Sequence, residues 1–136
     1  MTMATRIYVH ITWTTRDRRP MITAATKRFL QRFLVAEAAR HGARSLALDM
    51  VSDHVHVVLE LPAAFDLPRL VQGLKGASAR LINANESLTA VGLRWARGYD
   101  ARSVSPSGLG RVIAYVKSQS DRHPDRAIPR PRVVPG

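Results

Sequence analysis

The sequence predicts an α+β domain: a ferredoxin-like βαββαβ antiparallel sheet with an added C-terminal helix that carries a tyrosine. Three observations lead there. Short, β-branched stretches of period two alternate with helical apolar stripes in the order β-α-β-β-α-β-α. The chain has 136 residues, the size of one domain. Hydrophobic residues make up 46% and charged residues 23%, enough apolar surface for a packed core.

Residues 6–14, RIYVHITWT, form the first strand, closed by the charged RDRRP turn. Ile7, Val9 and Ile11 face one way and Tyr8, His10 and Thr12 the other. Thr23 caps a helix running to about His41, with Gly42 just beyond its end. Phe29, Leu30, Phe33 and Leu34 recur at helical spacing and are expected in the core. Residues 45–51 form a second strand, Ser52-Asp53 a tight turn, and residues 54–61 a third strand with clean alternation. Asp66 caps the next helix, and Pro68 is tolerated in its first turn. Its apolar stripe is Leu67, Leu70, Val71, Leu74, Leu81 and Ile82. Residues 83–90 read as a loop, and residues 93–104 as weaker strand patterns broken at Gly98. A last helix starts at Ser105–Ser107 and runs to about Arg122, where Pro124 stops it. Residues 1–123 thus form one domain, and 124–136 a Pro/Arg-rich tail, extended or disordered from Ala127 onward. Two helices cover one face of such a sheet and leave the other free for chemistry or binding.

The formal charge is +11, from 21 Lys and Arg against 10 Asp and Glu. So basic a small chain points to a polyanion, nucleic acid before membrane surface. The chain has no cysteine, which excludes a disulfide scaffold, thiolate metal sites and thiol catalysis. The longest apolar stretch, residues 55–62, is interrupted by His56 and Glu60 and is too short to span a bilayer. No secretory signal is visible. A cytoplasmic protein with no membrane partner is expected.

The third strand, DHVHVVLE from Asp53, is the most informative segment. His54 and His56 project to one side, and Val55, Val57, Leu59 and Leu61 to the other. Two neutral imidazoles side by side can share a divalent cation, with a third ligand still needed. Two hydrogen-bonded histidines on a solvated strand would give the same pattern. On the last helix, Leu109, Val112, Ile113 and Val116 form the apolar stripe. Tyr115 lies about 110° from it at roughly 100° per residue. Gln119 is one turn further on, and Arg111, Ser118 and Arg122 share that broad face. A paired-histidine metal site, a displayed tyrosine and a basic chain together suggest one reaction. The metal polarises a scissile phosphate, and the tyrosine oxygen attacks in line to form a phosphotyrosine bond. The amide oxygen of Gln119 can serve as the third ligand without adding negative charge.

These segments resemble the HUH-motif, single-tyrosine transposases of the insertion-sequence 200/605 family, which include the REP-associated tyrosine transposases. The resemblance runs from about Tyr8 to His123. It is carried by YVHITWTTRDRRP at residues 8–20, DHVHVVLE at 53–60, LVQGLKGASARLIN at 70–83, WARGYDARSVSPS at 95–107 and YVKSQ at 115–119. It implies that His54, His56 and Gln119 hold a divalent cation, Mg2+ or Mn2+, and that Tyr115 is the nucleophile. It implies cleavage of single-stranded DNA to a 5′-phosphotyrosine and a free 3′-hydroxyl, with rejoining by another 3′-hydroxyl. It also implies substrates with subterminal hairpins, homodimers joined edge to edge through their sheets, and association with the nucleoid when DNA is bound.

Lys75, Arg80, Arg94, Arg97, Arg111 and Arg122 are candidate DNA contacts by charge and placement. Asp53 and Glu60 are expected in turn and surface roles, with support of the histidines a second reading for Asp53. Trp13 and Trp95 are expected in core or dimer packing ahead of stacking on unpaired bases. Two other functions fit in part. A host-retained REP-associated enzyme would cut repeated palindromes by the same chemistry. A non-catalytic ferredoxin-like nucleic-acid binder would present aromatic residues on its central strands, where this third strand offers histidines.

Overall fold

The computed structural model describes residues 6–129. Strands β1 (Ile7–Thr14), β2 (Arg44–Val51), β3 (His54–Leu61) and β4 (Asp100–Val104) form one sheet in the order β2-β3-β1-β4. Every neighbouring pair is antiparallel, the strand order of the expected split βαβ arrangement.

Helix α1 (Ala24–Arg40) begins where the Thr23 hydroxyl accepts the Thr26 amide, and Gly42 follows its end at a φ of 76°. Its buried stripe is Leu30, Leu34 and Ala38. Phe29 and Phe33 are only half-buried and stack on one another with ring centroids 5.5 Å apart. Helix α2 (Leu67–Gln72) is capped by Asp66, which accepts the Arg69 amide. It runs through a π turn (Gly73–Ala77) into helix α3 (Ser78–Asn83). A π turn adds a residue to the winding. The buried stripe therefore continues through Leu74, Ser78 and Ile82, and Leu81, expected in the stripe, is turned outward and 38% exposed. At Gly73 the helices approach so closely that a Cβ would lie 2.9 Å from Glu37 Oε1 and from His41 Nε2.

These helices bury one face of the sheet. Ile11, Trp13, Val55, Val57, Leu59, Leu30, Leu34, Leu74 and Ile82 form its core, each at most 2% exposed. Burying each such side chain contributes about 1.5–3 kcal/mol.

The opposite face, expected to be open, is covered. Helix α4 (Leu109–Lys117) lies across β2 and β3, with Val116 packed against Ala47 and Val58 and flanked by Leu46, Leu109, Val112 and Ile113. Its amphipathic stripe needed an apolar surface, and the non-histidine positions of that sheet face supply one. The last helix is also not continuous. It breaks at Ser118 (φ −105°, ψ 20°) and resumes as the short helix α5 (Gln119–Arg122). The start of the tail packs on the sheet: the Ser52 amide donates to the Arg126 carbonyl at 2.8 Å, and Ile128 joins the core. The expected disorder of the tail beyond Pro129 concerns residues outside the described range. Among the described residues, no helix is long and apolar enough to cross a membrane.

Candidate active site

Strand register assembles the site. On the face under α4, β1 and β3 pair Thr12 with His56, Thr14 with His54 and His10 with Val58. Asp49 of β2 stands opposite His56 on its other side, and Asp100 of β4 opposite Thr12. A polar row thus crosses all four strands. His54 and His56 project to the same face, as period two requires, with ring centroids 5.0 Å apart. Far from being displayed on an open face, both are buried, because α4 and α5 lie over them.

Each imidazole is held through its Nδ1. His54 Nδ1 lies 2.7 Å from Asp53 Oδ1. A carboxylate only accepts, so this nitrogen carries the hydrogen and Nε2 faces into the site. Asp53 is buried, and its other oxygen pairs with Arg126 Nε at 3.5 Å. Asp53 keeps its expected place in the β2–β3 turn, but the tail closes over that turn, so it is buried rather than at the surface and orients His54, the second reading the sequence offered for it. Glu60 does stay near the surface, paired with Arg44 at 2.7 Å. His56 Nδ1 lies 2.9 Å from His10 Nε2 and 3.1 Å from Thr12 Oγ1. Burial, followed by the neighbouring His54, His10 and His123, lowers the His56 pKa from 6.5 to about 3. Burial also lowers that of His10; Asp100 opposes the shift and Arg102 adds to it. His56 is thus a neutral imidazole at neutral pH, the form that donates a lone pair.

The helix break delivers Gln119. In an unbroken helix the Tyr115 carbonyl would accept the Gln119 backbone amide. Here it accepts Ser118 N at 3.2 Å, Ser118 Oγ at 2.9 Å and Gln119 Nε2 at 3.0 Å. The amide group is thereby oriented, and its Oε1 lies 3.3 Å from His54 Nε2 in a fully buried position. With a neutral His54, two lone pairs face one another there. A shared cation satisfies both, so this donor set of two imidazoles and one amide oxygen fits a divalent ion. Among the described residues, no group of three or more His, Cys, Asp or Glu side chains is placed to hold a metal, so Gln119 is needed to complete the set.

Tyr115 projects from α4 beside these rings. It is 36% exposed, and its ring meets His56 edge-on at 5.7 Å and His10 at 6.2 Å. The Arg122 guanidinium lies 4.6 Å from its ring centroid and donates to Ser118 Oγ at 2.9 Å. The ring borders an open cavity of about 570 Å³ lined also by His10, Thr12, His56, Asp100, Arg102 and Arg111. The fold therefore brings together His54, His56, Gln119, Tyr115, Arg111 and Arg122.

The other candidates sit elsewhere. Lys75 Nζ donates to the carbonyls of Ala96 at 2.8 Å and Gly98 at 2.6 Å, and its burial lowers its pKa. It ties down the loop before β4. Arg80 is exposed on α3, against the opposite sheet face, and Arg94 and Arg97 are exposed on the loop before β4. Trp13 is buried and meets Trp95 edge-on at 5.9 Å, a packing role for both. The sequence reading missed His10 and His123, whose ring centroid lies 5.1 Å from that of His54. The alternation of β1 did place His10 opposite its apolar face, but its meeting with His56, 46 residues away, follows from register alone.

A family model described as "Transposase IS200 like" matches residues 3–119. The ISDra2 transposase TnpA of Deinococcus radiodurans is 28% identical over 118 residues, covering 83% of this chain and 84% of its own. Two solved structures share the fold. One is a crystallised transposase candidate from Deinococcus radiodurans, with a TM-score of 0.67, 24% identity and coverage of 88% of this chain and 95% of its own. The other is a REP-associated tyrosine transposase bound to a REP hairpin, with a TM-score of 0.68, 14% identity and coverage of 90% of this chain and 74% of its own.

Proposed function

The chain belongs to the IS200-like transposase family, and from that premise we propose that it cuts and rejoins single-stranded DNA through Tyr115. The observation that carries this is the convergence of His54 Nε2 and Gln119 Oε1 at 3.3 Å beneath a partly exposed tyrosine whose ring rests on His56. The Tyr115 hydroxyl gives up its proton as its oxygen attacks the scissile phosphorus, the bond from phosphorus to the 3′-oxygen breaks, and that oxygen takes up a proton and leaves as a 3′-hydroxyl, so no net proton is gained or lost. A 3′-hydroxyl of a second strand then attacks the phosphotyrosine, the tyrosine oxygen leaves, and the phosphodiester is restored. One ester replaces another at each step, so no outside energy source enters.

Magnesium or manganese held by His54, His56 and Gln119 would supply charge neutralisation at the scissile phosphate. Asp53 and His10 orient the two imidazoles. Arg122 steadies the tyrosine ring, and Arg111 adds positive charge at the cavity mouth, where a phosphate would enter. The substrates are single strands with subterminal hairpins. The working unit is a homodimer: β4 pairs only with β1 among the described strands, which leaves its other edge for a second copy.

The test is a denaturing gel with strands from both flanks of the gene, with magnesium or manganese, for the wild type and Tyr115→Phe. A slow-migrating protein–DNA band that requires both metal and the Tyr115 oxygen is expected. A band that persists in Tyr115→Phe refutes the nucleophile.

A further inference from the structure

We propose that the Arg16–Arg19 turn and Arg94 form a second DNA contact, a cationic cleft that takes the sugar-phosphate backbone of the single strand beside the cut bond. This rests on the strand-transfer reading above. The cleft has a volume of about 700 Å³, and Arg16, Asp17, Arg19, Asn83, Gly92 and Arg94 line it.

Three arginines and one carboxylate, Asp17, line it, so the cleft is net positive. Arg40, Arg44, Arg102 and Arg126 all pair with carboxylates, but among the described residues Arg16, Arg19 and Arg94 do not. Planar guanidinium groups on a concave wall suit phosphate oxygens, which they bind in bidentate fashion. Asp17 supplies an acceptor in the same cleft, which suits the amino edge of a base.

The wall is preorganised. Arg16 N donates to the Arg94 carbonyl at 2.8 Å, Ala96 N to the Thr14 carbonyl at 2.9 Å, and Thr15 bridges Trp95. These bonds set Arg16 and Arg94 side by side. Asn83 grips Leu93 twice, donating to its carbonyl at 2.8 Å and accepting its amide at 2.7 Å. The turn itself is strained: Asp17 and Arg18 have φ of 57° and 52°, in the left-handed region that residues with a Cβ avoid. The Thr15 hydroxyl holds it by donating to the Arg19 carbonyl at 2.6 Å. Such strain persists only where the surroundings enforce it, and it concentrates at functional sites.

The location fits a strand that also reaches Tyr115. Thr14 is the register partner of His54, and Thr15 N donates to the Asp53 carbonyl at 2.8 Å. Arg16 therefore follows Thr14 by two residues, just past the end of β1 and at the end of the sheet where His54 lies.

The experiment compares three full-length double variants with the wild type: Arg16→Ala/Arg94→Ala, Arg16→Lys/Arg94→Lys, and a charge-matched control, Arg28→Ala/Arg32→Ala, on the exposed side of α1. The probe is a fluorescent 20-mer of thymidines, titrated by anisotropy at several salt concentrations. Covalent adduct formation on flanking strands is measured in parallel. The alanine pair in the cleft should weaken binding at least tenfold and flatten the salt dependence by about 1.4 in log–log slope, at ~0.7 per lost phosphate contact. The lysine pair keeps the charge but not the bidentate fork, so it should keep the wild-type salt slope while recovering only part of the affinity, which separates contact from misfolding. The control should stay within threefold of the wild type. Equal losses in the cleft and control alanine pairs, or no loss in the cleft pair, overturn the cleft. If the wild type forms the adduct while the cleft pair binds and reacts as the wild type does, the cleft fails and the strand-transfer reading stands. If the wild type forms no adduct, that reading fails, and the thymidine titration still decides the cleft.

Discussion

The two faces of the sheet are both buried, but for opposite purposes. Beneath α1, α2 and α3 the strands present Val9, Ile11, Trp13, Val55, Val57 and Leu59, an apolar layer closed by leucines and Ile82. Beneath α4 and α5 the same strands present His10, Thr12, His54 and His56, with only a small apolar cluster at Ala47, Val58 and Val116 to fasten the cover. The first face gains its energy from removing carbon from water. The second buries nitrogen and oxygen atoms that must find partners, and Asp53, Thr12 and His10 supply them for the two imidazoles. On the proposed function, this fold separates stability from chemistry by sheet face, so mutations on the two faces should separate in the same way.

The largest effect expected is on the polar face. Tyr115→Phe should remove covalent DNA attachment by about a thousandfold or more on a denaturing gel, since no other group replaces the lost oxygen. Its unfolding free energy should stay within about 0.5 kcal/mol of wild type, because the ring remains and is already partly exposed. The apolar face should behave oppositely. Leu59→Ala, at a fully buried position, should cost about 2–5 kcal/mol in urea unfolding while leaving cleavage by the folded fraction near normal. Cleavage lost in step with folding would support the division of labour, whereas a direct loss from a fully folded Leu59→Ala would break it.

Between these extremes lies Asp53→Asn, which keeps the size of the side chain but removes its charge beside His54. Loss of such an orienting carboxylate lowers metal affinity or activity by about 10–100-fold. Titration of cleavage against manganese should show a higher metal requirement, and an unchanged curve would assign Asp53 to the turn alone.

The smallest effect concerns pH. The folded-state pKa of His56 is lowered to about 3 from an unfolded value near 6.5. Between those limits the unfolded chain binds the extra proton, so stability is complete above about pH 6.5 and falls as pH drops towards 3. In the presence of a chelator, one such group contributes a slope of at most about 1.4 kcal/mol per pH unit. Urea unfolding at pH 7 and 5.5 should show this loss, and His56→Gln should reduce it. The apolar-face variant Leu59→Ala should retain the wild-type slope.

Much of this was legible in the chain itself. Alternation over residues 54–61 put His54 and His56 on one side and the valines and leucines on the other, because a strand has period two whatever surrounds it. Thr23, Asp66 and Ser105 marked helix starts because capping is local chemistry: each accepts a backbone amide three residues on. Leu81 was misplaced for the converse reason. The π turn at Gly73–Ala77 shifts the helical phase, and no spacing rule that assumes a regular helix registers it.

The amino-acid sequence by itself determined the βαββαβα order, the paired histidines, the tyrosine outside the apolar stripe and the excess of positive charge. These rest on periodicity, capping and composition, which act between near neighbours. Only the tertiary structure decided that the histidine face is roofed by α4, that His10 meets His56, that the break at Ser118 turns Gln119 onto His54, and that Arg126 closes on Asp53. Those contacts join residues far apart in the chain. Strand register and helix docking set them, through the burial of whole faces rather than through any local preference.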